Sequence, residues 1–193
     1  MLQPIRQMIN INFTPFPALA TERLVLRQLI PNDAGDVLRL RADESVSKYI
    51  DREPYKTLEE ASGFITKITN SIASNENGYW VIALKTDNKL IGTCCIWHIS
   101  AENLRAEIGY ELHPDFQGKG IMQEALTMLL SYAFKVMNLH SIEAVVNPKN
   151  MASIRVLEKL GFVREAYFKE NYYVKDKFLD TAIYSLLSQN FVK

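Results

Sequence analysis

The chain has 193 residues, enough for one domain of ordinary size with a sizeable buried core. Lysine plus arginine and aspartate plus glutamate each number 22, so the net charge does not favour nucleic acid or an anionic membrane as a partner. Hydrophobic residues make up 48%, which is typical of soluble globular proteins, and no apolar run reaches the length of about 18 residues that indicates a membrane helix.

The cysteines and histidines provide few candidates for a disulfide or a metal site. Cys94 and Cys95 are the only cysteines, and neighbours on a strand point to opposite faces, so they are poor partners for each other. The three histidines are scattered along the chain. The first 21 residues lack the continuous apolar segment of a signal peptide. We therefore expect a cytoplasmic protein without a bound metal.

The sequence of the first third of the chain predicts an arm, a strand and two helices. Residues 1–20 contain three prolines and little periodicity, which indicates an N-terminal arm. Alternating apolar residues predict a strand at 23–29, and helical spacing predicts a helix that begins near Pro31. A second helix follows, with Thr57 and Glu60 in the pattern of a capping box.

The rest of the chain alternates strands and helices. Further strands are predicted at 79–85, 89–100, 105–113, 141–146, 162–169 and 176–187. The most strongly periodic helix spans about Ile121–Met137, and another follows Asn150 as its N-cap and ends at Gly161. This order predicts one domain over 21–188, of mixed α/β (α+β) class, with a single mostly antiparallel sheet covered by helices.

Residues 113–122, HPDFQGKGIM, place two of the chain's 8 glycines around a lysine where a strand gives way to a helix. Either a turn with positive φ or a ligand close to bare N–H groups must require glycine there. The segment is not a Walker A loop, since Gly120 follows Lys119, and not a dinucleotide fingerprint, since the third glycine is replaced by Gln123. The N–H groups of 118–122, at the positive end of a helix dipole, suit a pyrophosphate without a metal.

Four sequence blocks carry a resemblance to a known family. They are TERLVLRQL, AEIGYELHPDFQGKGIMQEAL, NPKNMASIRVLEKLGF and DTAIYSLL, and together they cover about residues 20–188. In this order they resemble the GCN5-related N-acetyltransferases (GNAT), and within them the ribosomal-protein N-terminal acetyltransferases of the RimJ and RimL type. The last position of the family's Gln/Arg-x-x-Gly-x-Gly/Ala signature is Met122 here, as in the RimJ/RimL type.

The resemblance implies a GNAT-like domain with helices on both faces of a sheet that splays between its fourth and fifth strands, 105–113 and 141–146. Backbone groups near Glu111 and Leu112 would then lack partners and would pair with the extended pantetheine arm of acetyl-CoA. The pyrophosphate of the coenzyme would lie on the glycine turn. The implied coenzyme-binding residues are Glu111, Leu112, Gln117, Gly118, Lys119, Gly120, Ile121, Met122, Asn150 and Ser153.

Two residues are candidate catalytic groups, and each has a plainer alternative. Glu107, as a buried carboxylate with a raised pKa, would take a proton from an acceptor amine; alternatively it is an exposed strand residue or a structural anchor. Ser153 would donate to the departing CoA thiolate; alternatively it is a solvated serine in the first turn of a helix. Four aromatic residues belong either to an acceptor pocket or to the core: Trp97, Tyr110, Tyr172 and Tyr173.

The resemblance and these residues predict an acetyl-CoA-dependent N-acetyltransferase that works by direct attack in a ternary complex. An α-amine with a pKa of about 8 is about one tenth neutral at pH 7, whereas a lysine near 10.4 is neutral in less than about one part in a thousand. The α-amine of a (ribosomal) protein N-terminus is therefore the favoured acceptor. The alternatives are a small amine (polyamine, aminoglycoside or amino acid) or a non-catalytic acetyl-CoA-binding module. We expect no nucleic acid or membrane partner, and either a monomer or a homodimer.

Overall fold

The computed structural model describes residues 9–192, and eight strands of this range form one sheet. In chain order they are β1 (Leu19–Ala20), β2 (Leu24–Arg27), β3 (Gly78–Leu84), β4 (Leu90–Ser100), β5 (Arg105–Leu112), β6 (Ser141–Val146), β7 (Val163–Val174) and β8 (Lys177–Leu187). Their order across the sheet is β1-β2-β3-β4-β5-β6-β8-β7, and the described pairs are antiparallel except for β5 with β6. The predicted mixed α/β class with a mostly antiparallel sheet is confirmed.

Helices cover both faces of this sheet. They are α1 (Ala34–Ala42), α2 (Glu44–Ser47), α3 (Leu58–Ala73), α4 (Ile121–Lys135) and α5 (Met151–Lys159). Tyr79 of β3 packs against Phe64 of α3, and the adjacent Trp80 packs against Tyr132 of α4. Because neighbours on a strand point to opposite faces, α3 and α4 lie on opposite sides of the sheet. Within residues 9–192, no helix has the length and apolar character needed to cross a membrane.

Local capping signals explain where two of the helices begin. At α3, the Thr57 side chain accepts from the Glu60 N–H (3.3 Å) and the Glu60 carboxylate accepts from the Thr57 N–H (3.0 Å), as the capping box predicts. At α5, the Asn150 side chain accepts from the Ser153 N–H (3.1 Å), and the chain leaves the helix at Gly161 with a φ of +91°.

Part of the predicted N-terminal arm packs against the sheet. Phe13 is 1% exposed, its ring lies 5.9 Å from that of Trp80, and the Trp80 indole N–H donates to the Pro17 carbonyl (2.7 Å). The prediction of an arm over 1–20 also includes residues 1–8, which lie outside the described part of the chain. Residues 9–20 therefore add apolar contacts to the core beside β3.

The sheet splays between β5 and β6. These two strands pair only from Arg105–Glu107 to Ser141–Glu143, although β5 continues to Leu112 and β6 to Val146. The splay lies between the two strands for which it was predicted, and they are fifth and sixth in the chain because the two-residue β1 precedes the strand predicted as first. The divergence leaves one edge of β5 open beyond Glu107, and the candidate site lies at this opening.

Candidate active site

A cleft of about 1530 Å³ opens where β5 and β6 diverge. Glu107 and Tyr110 both line it, although they are an odd number of residues apart on β5 and so point to opposite faces of the sheet. Asn150 and Ser153 at the start of α5 border it on one face, and Phe64 of α3 borders it on the other. The cleft therefore passes through the sheet, so that two reactants entering from opposite faces could meet in the gap.

Glu107 is the last β5 residue that pairs with β6, and it is only 9% exposed. Its burial raises the pKa of the carboxyl group, and the neighbouring Glu143 carboxylate raises it further, while contacts with His98 and Trp97 lower it. His98 Nδ1 lies 2.8 Å from Glu107 Oε2. The plainer alternative of an exposed glutamate is thus excluded, and the geometry suits a proton acceptor that is linked to His98.

Two hydroxyl groups meet at the start of α5. Ser153 Oγ lies 2.7 Å from the Tyr110 hydroxyl. Burial raises the pKa of Tyr110 to about 12, so its hydroxyl keeps its proton at neutral pH. Asn150 holds the first turn by accepting from the Ser153 N–H, which confirms its N-cap role. Tyr110 thus contacts the α5 side of the cleft, which gives it a more specific position than that of a general acceptor-pocket residue.

Glu111 is held by two guanidinium groups. Arg52 binds its carboxylate with both terminal nitrogens (2.6 and 2.7 Å), and Arg41 lies 3.1 Å away, so the Glu111 charge is neutralised within the protein. Both arginine side chains are largely buried, and the Arg41 guanidinium also stacks over the Phe64 ring at 3.5 Å. Glu111 is therefore a structural ion-pair centre at the edge of the cleft.

The expected unpaired backbone groups near Glu111 need correction. The His113 N–H donates to the Ile91 carbonyl of the neighbouring strand segment (2.9 Å). Because bonding alternates along an antiparallel strand, Glu111 also turns its backbone N–H and C=O toward β4. The residues whose backbone groups face the gap include Leu112 but not Glu111: they are Ile108, Tyr110 and Leu112, and the Leu112 carbonyl already accepts from the Gln117 side-chain amide (3.0 Å).

The glycine turn begins α4. Gly118 and Gly120 have φ of +72° and +73°, the left-handed region that glycine occupies most readily. An added Cβ would meet nothing within 4 Å at Gly118 and only Arg23, at 3.7 Å, at Gly120, so the conformation and not the space requires glycine. Helix geometry leaves the first N–H groups of α4, those of residues 121–123, without intrahelical acceptors. They remain available to an anion.

Side chains hold this turn in position. Arg23 pairs with Glu124 of α4 (2.6 Å) and donates to the Lys119 carbonyl (3.1 Å). The Lys119 ammonium donates to the Asp115 carbonyl (2.7 Å), so it is folded back on its own loop. The helix start is therefore preorganised by contacts with Arg23, just before β2, and with the preceding loop.

The cleft brings together four of the predicted site residues: Glu107, Glu111, Asn150 and Ser153. Leu112 and residues 117–122 are not part of its lining, and Gly120 instead borders a second pocket of about 610 Å³ beside Thr21 and Glu124. Of the predicted pyrophosphate residues, Gly120 therefore borders a different depression from the one that Glu107 and Ser153 line.

Comparison with known proteins identifies the family. The model of the acetyltransferase (GNAT) domain matches residues 23–163, most of the chain. The chain belongs to the GNAT family. An N-acetyltransferase named p20, from Bacillus licheniformis, is 36% identical over 90% of this chain and 97% of its own length. A GNAT acetyltransferase structure from Bacillus anthracis superimposes with a TM-score of 0.81 at 31% identity, covering 90% of this chain and 99% of that one.

Two other GNAT structures differ in their named substrates. A spermidine N-acetyltransferase from Vibrio cholerae, in complex with CoA and spermine, has a TM-score of 0.78 at 25% identity and covers 90% of this chain and 100% of that one. A ribosomal-protein-S5-alanine acetyltransferase from Vibrio fischeri has a TM-score of 0.75 at 25% identity, covering 92% and 100%. The fold and family confirm the predicted acetyltransferase enzyme, and GNAT acetyltransferases use acetyl-CoA as the acetyl donor.

The sequence did not reveal which side chains contact the predicted site residues Glu107, Glu111 and Ser153. A regular strand over 89–100 would place the His98 side chain on the face opposite to that of Trp97, whereas in the structure its ring stacks on Trp97 and contacts Glu107. Arg52 lies in an irregular segment, where no periodicity indicates its direction. Hydroxyl contacts such as that of Tyr110 with Ser153 depend on the packing of α5 against the sheet, which the sequence does not specify.

Proposed function

We propose that this GNAT enzyme transfers the acetyl group of acetyl-CoA to the α-amine of a protein N-terminus, as the resemblance to the RimJ/RimL type implies. The observation that carries the proposal is the wide cleft through the splayed sheet, with a buried carboxylate on one face and paired hydroxyl groups on the other. A donor and an acceptor that enter from opposite faces would be brought together at the gap, which is the requirement of direct transfer in a ternary complex.

The residues present fit acetyl-CoA. The free N–H groups at the start of α4 would hold its pyrophosphate, as an anion at the positive end of a helix dipole. The gap-facing backbone groups of Ile108 and Tyr110 would pair with its extended pantetheine arm as an additional strand does. Asn150 would contact the arm where it passes α5. The coenzyme supplies the acetyl thioester, and the chain supplies orientation and proton transfer.

Two groups of the chain would move protons at opposite ends of the reaction. Glu107 would draw a proton from the acceptor ammonium, directly or through a group between them, because the raised pKa of its carboxyl group lies closer to neutral pH than the pKa of an ordinary glutamate. Ser153, hydrogen-bonded to Tyr110, would donate to the thiolate that leaves, at a helix start where negative charge is favoured.

The charge of the cleft supports a peptide acceptor over a polyamine. Its lining includes six acidic and six basic side chains: Glu44, Asp51, Glu53, Glu107, Glu111 and Asp180, and Arg41, Lys48, Arg52, Lys67, Lys175 and Lys177. A polyamine carries several positive charges and is best bound by an excess of carboxylates. A peptide N-terminus brings one positive charge and side chains of either sign, which a balanced lining accommodates.

The names of the relatives do not decide between these acceptors, since the spermidine enzyme and the ribosomal-protein enzyme are each 25% identical to this chain. A second candidate acceptor is therefore a small polyamine such as spermidine. The preference for an α-amine rests on its lower pKa of about 8 and on the balanced charge of the cleft.

A thiol-release assay tests the proposal. Acetyl-CoA is supplied with peptides that begin with alanine or serine, with the same peptides blocked at the N-terminus, with spermidine and with an aminoglycoside. We expect the free peptides to give the highest kcat/KM and the blocked peptides to give background release. A higher kcat/KM for spermidine than for every peptide would overturn the assignment of the acceptor.

A further inference from the structure

A local irregularity in β4 directs two consecutive side chains toward the same place. The pairing of β4 with β5 shifts register between Trp97 and Ser100, and His98 has a φ of +45°. Neighbours on a regular strand point to opposite faces, but here the Trp97 and His98 rings stack with centroids 4.3 Å apart and planes 11° apart. A positive φ is uncommon outside glycine and costs conformational energy, and residues strained in this way cluster at functional sites.

The irregularity places the His98 ring against Glu107. Nδ1 lies 2.8 Å from Glu107 Oε2, while 66% of the His98 side chain remains exposed and the residue lines the cleft. A carboxylate only accepts hydrogen bonds, so a neutral His98 carries its proton on Nδ1 and presents a bare Nε2 to the cleft. Trp97 restrains the ring from one side by stacking.

We propose that His98 is the group that takes the proton from the acceptor amine, with Glu107 as the buried carboxylate that orients it and stabilises its positive charge. The inference rests on the proposed acetyl transfer and names a second residue of the same site. Glu107 alone is 9% exposed, so an acceptor has little access to it, whereas His98 is open to the cleft and to solvent. The exposed ring therefore connects the buried carboxylate to the acceptor.

The proton balance of this step closes. His98 Nε2 takes one proton from the acceptor ammonium and becomes imidazolium, held by Glu107 through Nδ1–H, and the neutral nitrogen attacks the thioester carbonyl. The C–N bond forms and the C–S bond breaks. The nitrogen loses a second proton as the amide forms, and the departing thiolate gains one proton, so these two changes cancel. His98 then returns its proton to solvent, so one proton is released for each acetyl group transferred.

The groups that face this pair come from three strands. Cys95 on β4 is half-buried, and desolvation raises the pKa of its thiol to about 12, which keeps it neutral. Glu111 on β5 is neutralised by its two arginines. Glu143 on β6 is paired with Arg105. Glu107 is therefore the carboxylate among these groups that directly contacts the imidazole.

Two substitutions separate proton transfer from structural support. His98→Asn places an amide N–H near the position of Nδ1, and asparagine tolerates a positive φ, so the hydrogen bond to Glu107 is kept while Nε2 is lost. His98→Ala removes both and leaves space for imidazole in solution. His140→Ala is the matched control, because His140 is exposed and is not part of the cleft lining.

We expect His98→Asn and His98→Ala to lower kcat by about 100-fold with the best peptide acceptor at pH 7, with an unchanged Kd for acetyl-CoA. Added imidazole should raise the rate of His98→Ala with its concentration and leave His98→Asn and His140→Ala unaffected. A wild-type rate for His98→Asn, or a loss in His98→Ala that imidazole does not reduce, would overturn the proposal and leave Glu107 or water as the base.

A measurement without turnover keeps this inference distinct from the proposed function. Nitrogen-15 NMR of the full chain, with the His98 signal assigned by its loss in His98→Asn, reports which ring nitrogen carries the proton. We expect the Nδ1–H tautomer in the neutral form, and the Nε2–H tautomer would contradict the proposal. If the tautomer is as expected and no acceptor in the panel is acetylated, the proposed acceptor class fails while the His98–Glu107 geometry stands.

Discussion

At the scale of single residues, environment separates the tasks of the cleft side chains. Glu107 is buried, which raises the pKa of its carboxyl group, while its contact with the His98 imidazole lowers that pKa. Glu111, four residues further along β5, is fixed by two guanidinium groups and serves the structure. Ser153 and Tyr110 form a hydroxyl pair on the other face. Two carboxylates on one strand thus acquire different roles from their neighbours.

Removing either hydroxyl should affect turnover more than coenzyme affinity. Ser153→Ala and Tyr110→Phe should each lower kcat by roughly ten- to a hundredfold, because they act on charge that develops only as the thiolate leaves. The double variant should lose little more than the poorer single variant, since the two hydroxyls act as one unit. Steady-state kinetics with calorimetric Kd for acetyl-CoA checks this. Unchanged kcat in Ser153→Ala would reduce this serine to a part of the helix start.

The pH dependence of Glu107→Gln follows from its raised pKa. In the wild type, kcat should fall as the pH drops through a value above the usual range of glutamate, because a protonated Glu107 no longer accepts from His98. Glu107→Gln should be slowest relative to wild type at neutral pH and recover in part near pH 9, where an α-amine with a pKa of about 8 is mostly neutral. An equal loss at every pH would mean that Glu107 only positions the strand or the acceptor.

At the scale of elements, the glycine turn would contact acetyl-CoA and the loop over the cleft would contact the acceptor. The turn needs two left-handed residues to deliver the chain from β5 to α4 with free N–H groups outward. The loop of residues 48–55, between α2 and α3, crosses the opposite side of the cleft. It is joined to β5 through Arg52–Glu111, to β7 through Asp51–Tyr172 and to the turn after β7 through Glu53–Lys175.

Gly120→Asp and Gly120→Asn separate backbone conformation from charge. The two side chains are equal in size and tolerate a left-handed φ similarly, so their backbone costs should match. Only aspartate places an anion beside the helix start, and we expect it to weaken acetyl-CoA binding more than tenfold relative to asparagine. Calorimetry measures both affinities, and equal Kd values for the two variants would place the pyrophosphate elsewhere.

The bond between Tyr172 and Asp51 should help to order the acceptor side. Tyr172→Phe removes a hydroxyl that donates to the Asp51 carboxylate, and we expect the KM of the peptide acceptor to rise about two- to fivefold because the bond is exposed. The KM of acetyl-CoA should not change. Tyr173→Phe is the matched control, since Tyr173 bonds Asp176 within the same hairpin and is not part of the cleft lining. Equal effects of both variants would contradict a role for the 48–55 loop.

Much of the element order could be predicted from the sequence because its signals are local. Thr57 with Glu60, Asn150 and Gly161 mark helix ends through contacts within a few residues, and the structure confirms each. The contact between His98 and Glu107 depends on a register shift between two strands, and no local sequence signal indicates this shift. The two arginines on Glu111 come from α1 and from the 48–55 loop, so only the assembled fold reveals them.

At the scale of the whole molecule, the splayed sheet makes the reaction possible. The parallel pair of β5 and β6 ends at Glu107, and the opening beyond it connects the α5 face with the α3 face. Antiparallel pairing on either side, of β4 with β5 and of β6 with β8, supports the two walls of the gap. Binding energy from an extended coenzyme on one face can therefore position its thioester against an amine that enters from the other.

One competition experiment addresses this arrangement directly. A peptide that begins with alanine and contains one internal lysine presents an α-amine and an ε-amine to the enzyme at equal concentration, together with acetyl-CoA at pH 7. Fragmentation mass spectrometry of the product locates the acetyl group. We predict acetylation at the α-nitrogen, because its lower pKa supplies far more of the neutral amine and the balanced cleft accepts a peptide end. An acetyl group on the lysine side chain, or no acetylated peptide in an assay where spermidine is acetylated, would contradict the proposed function.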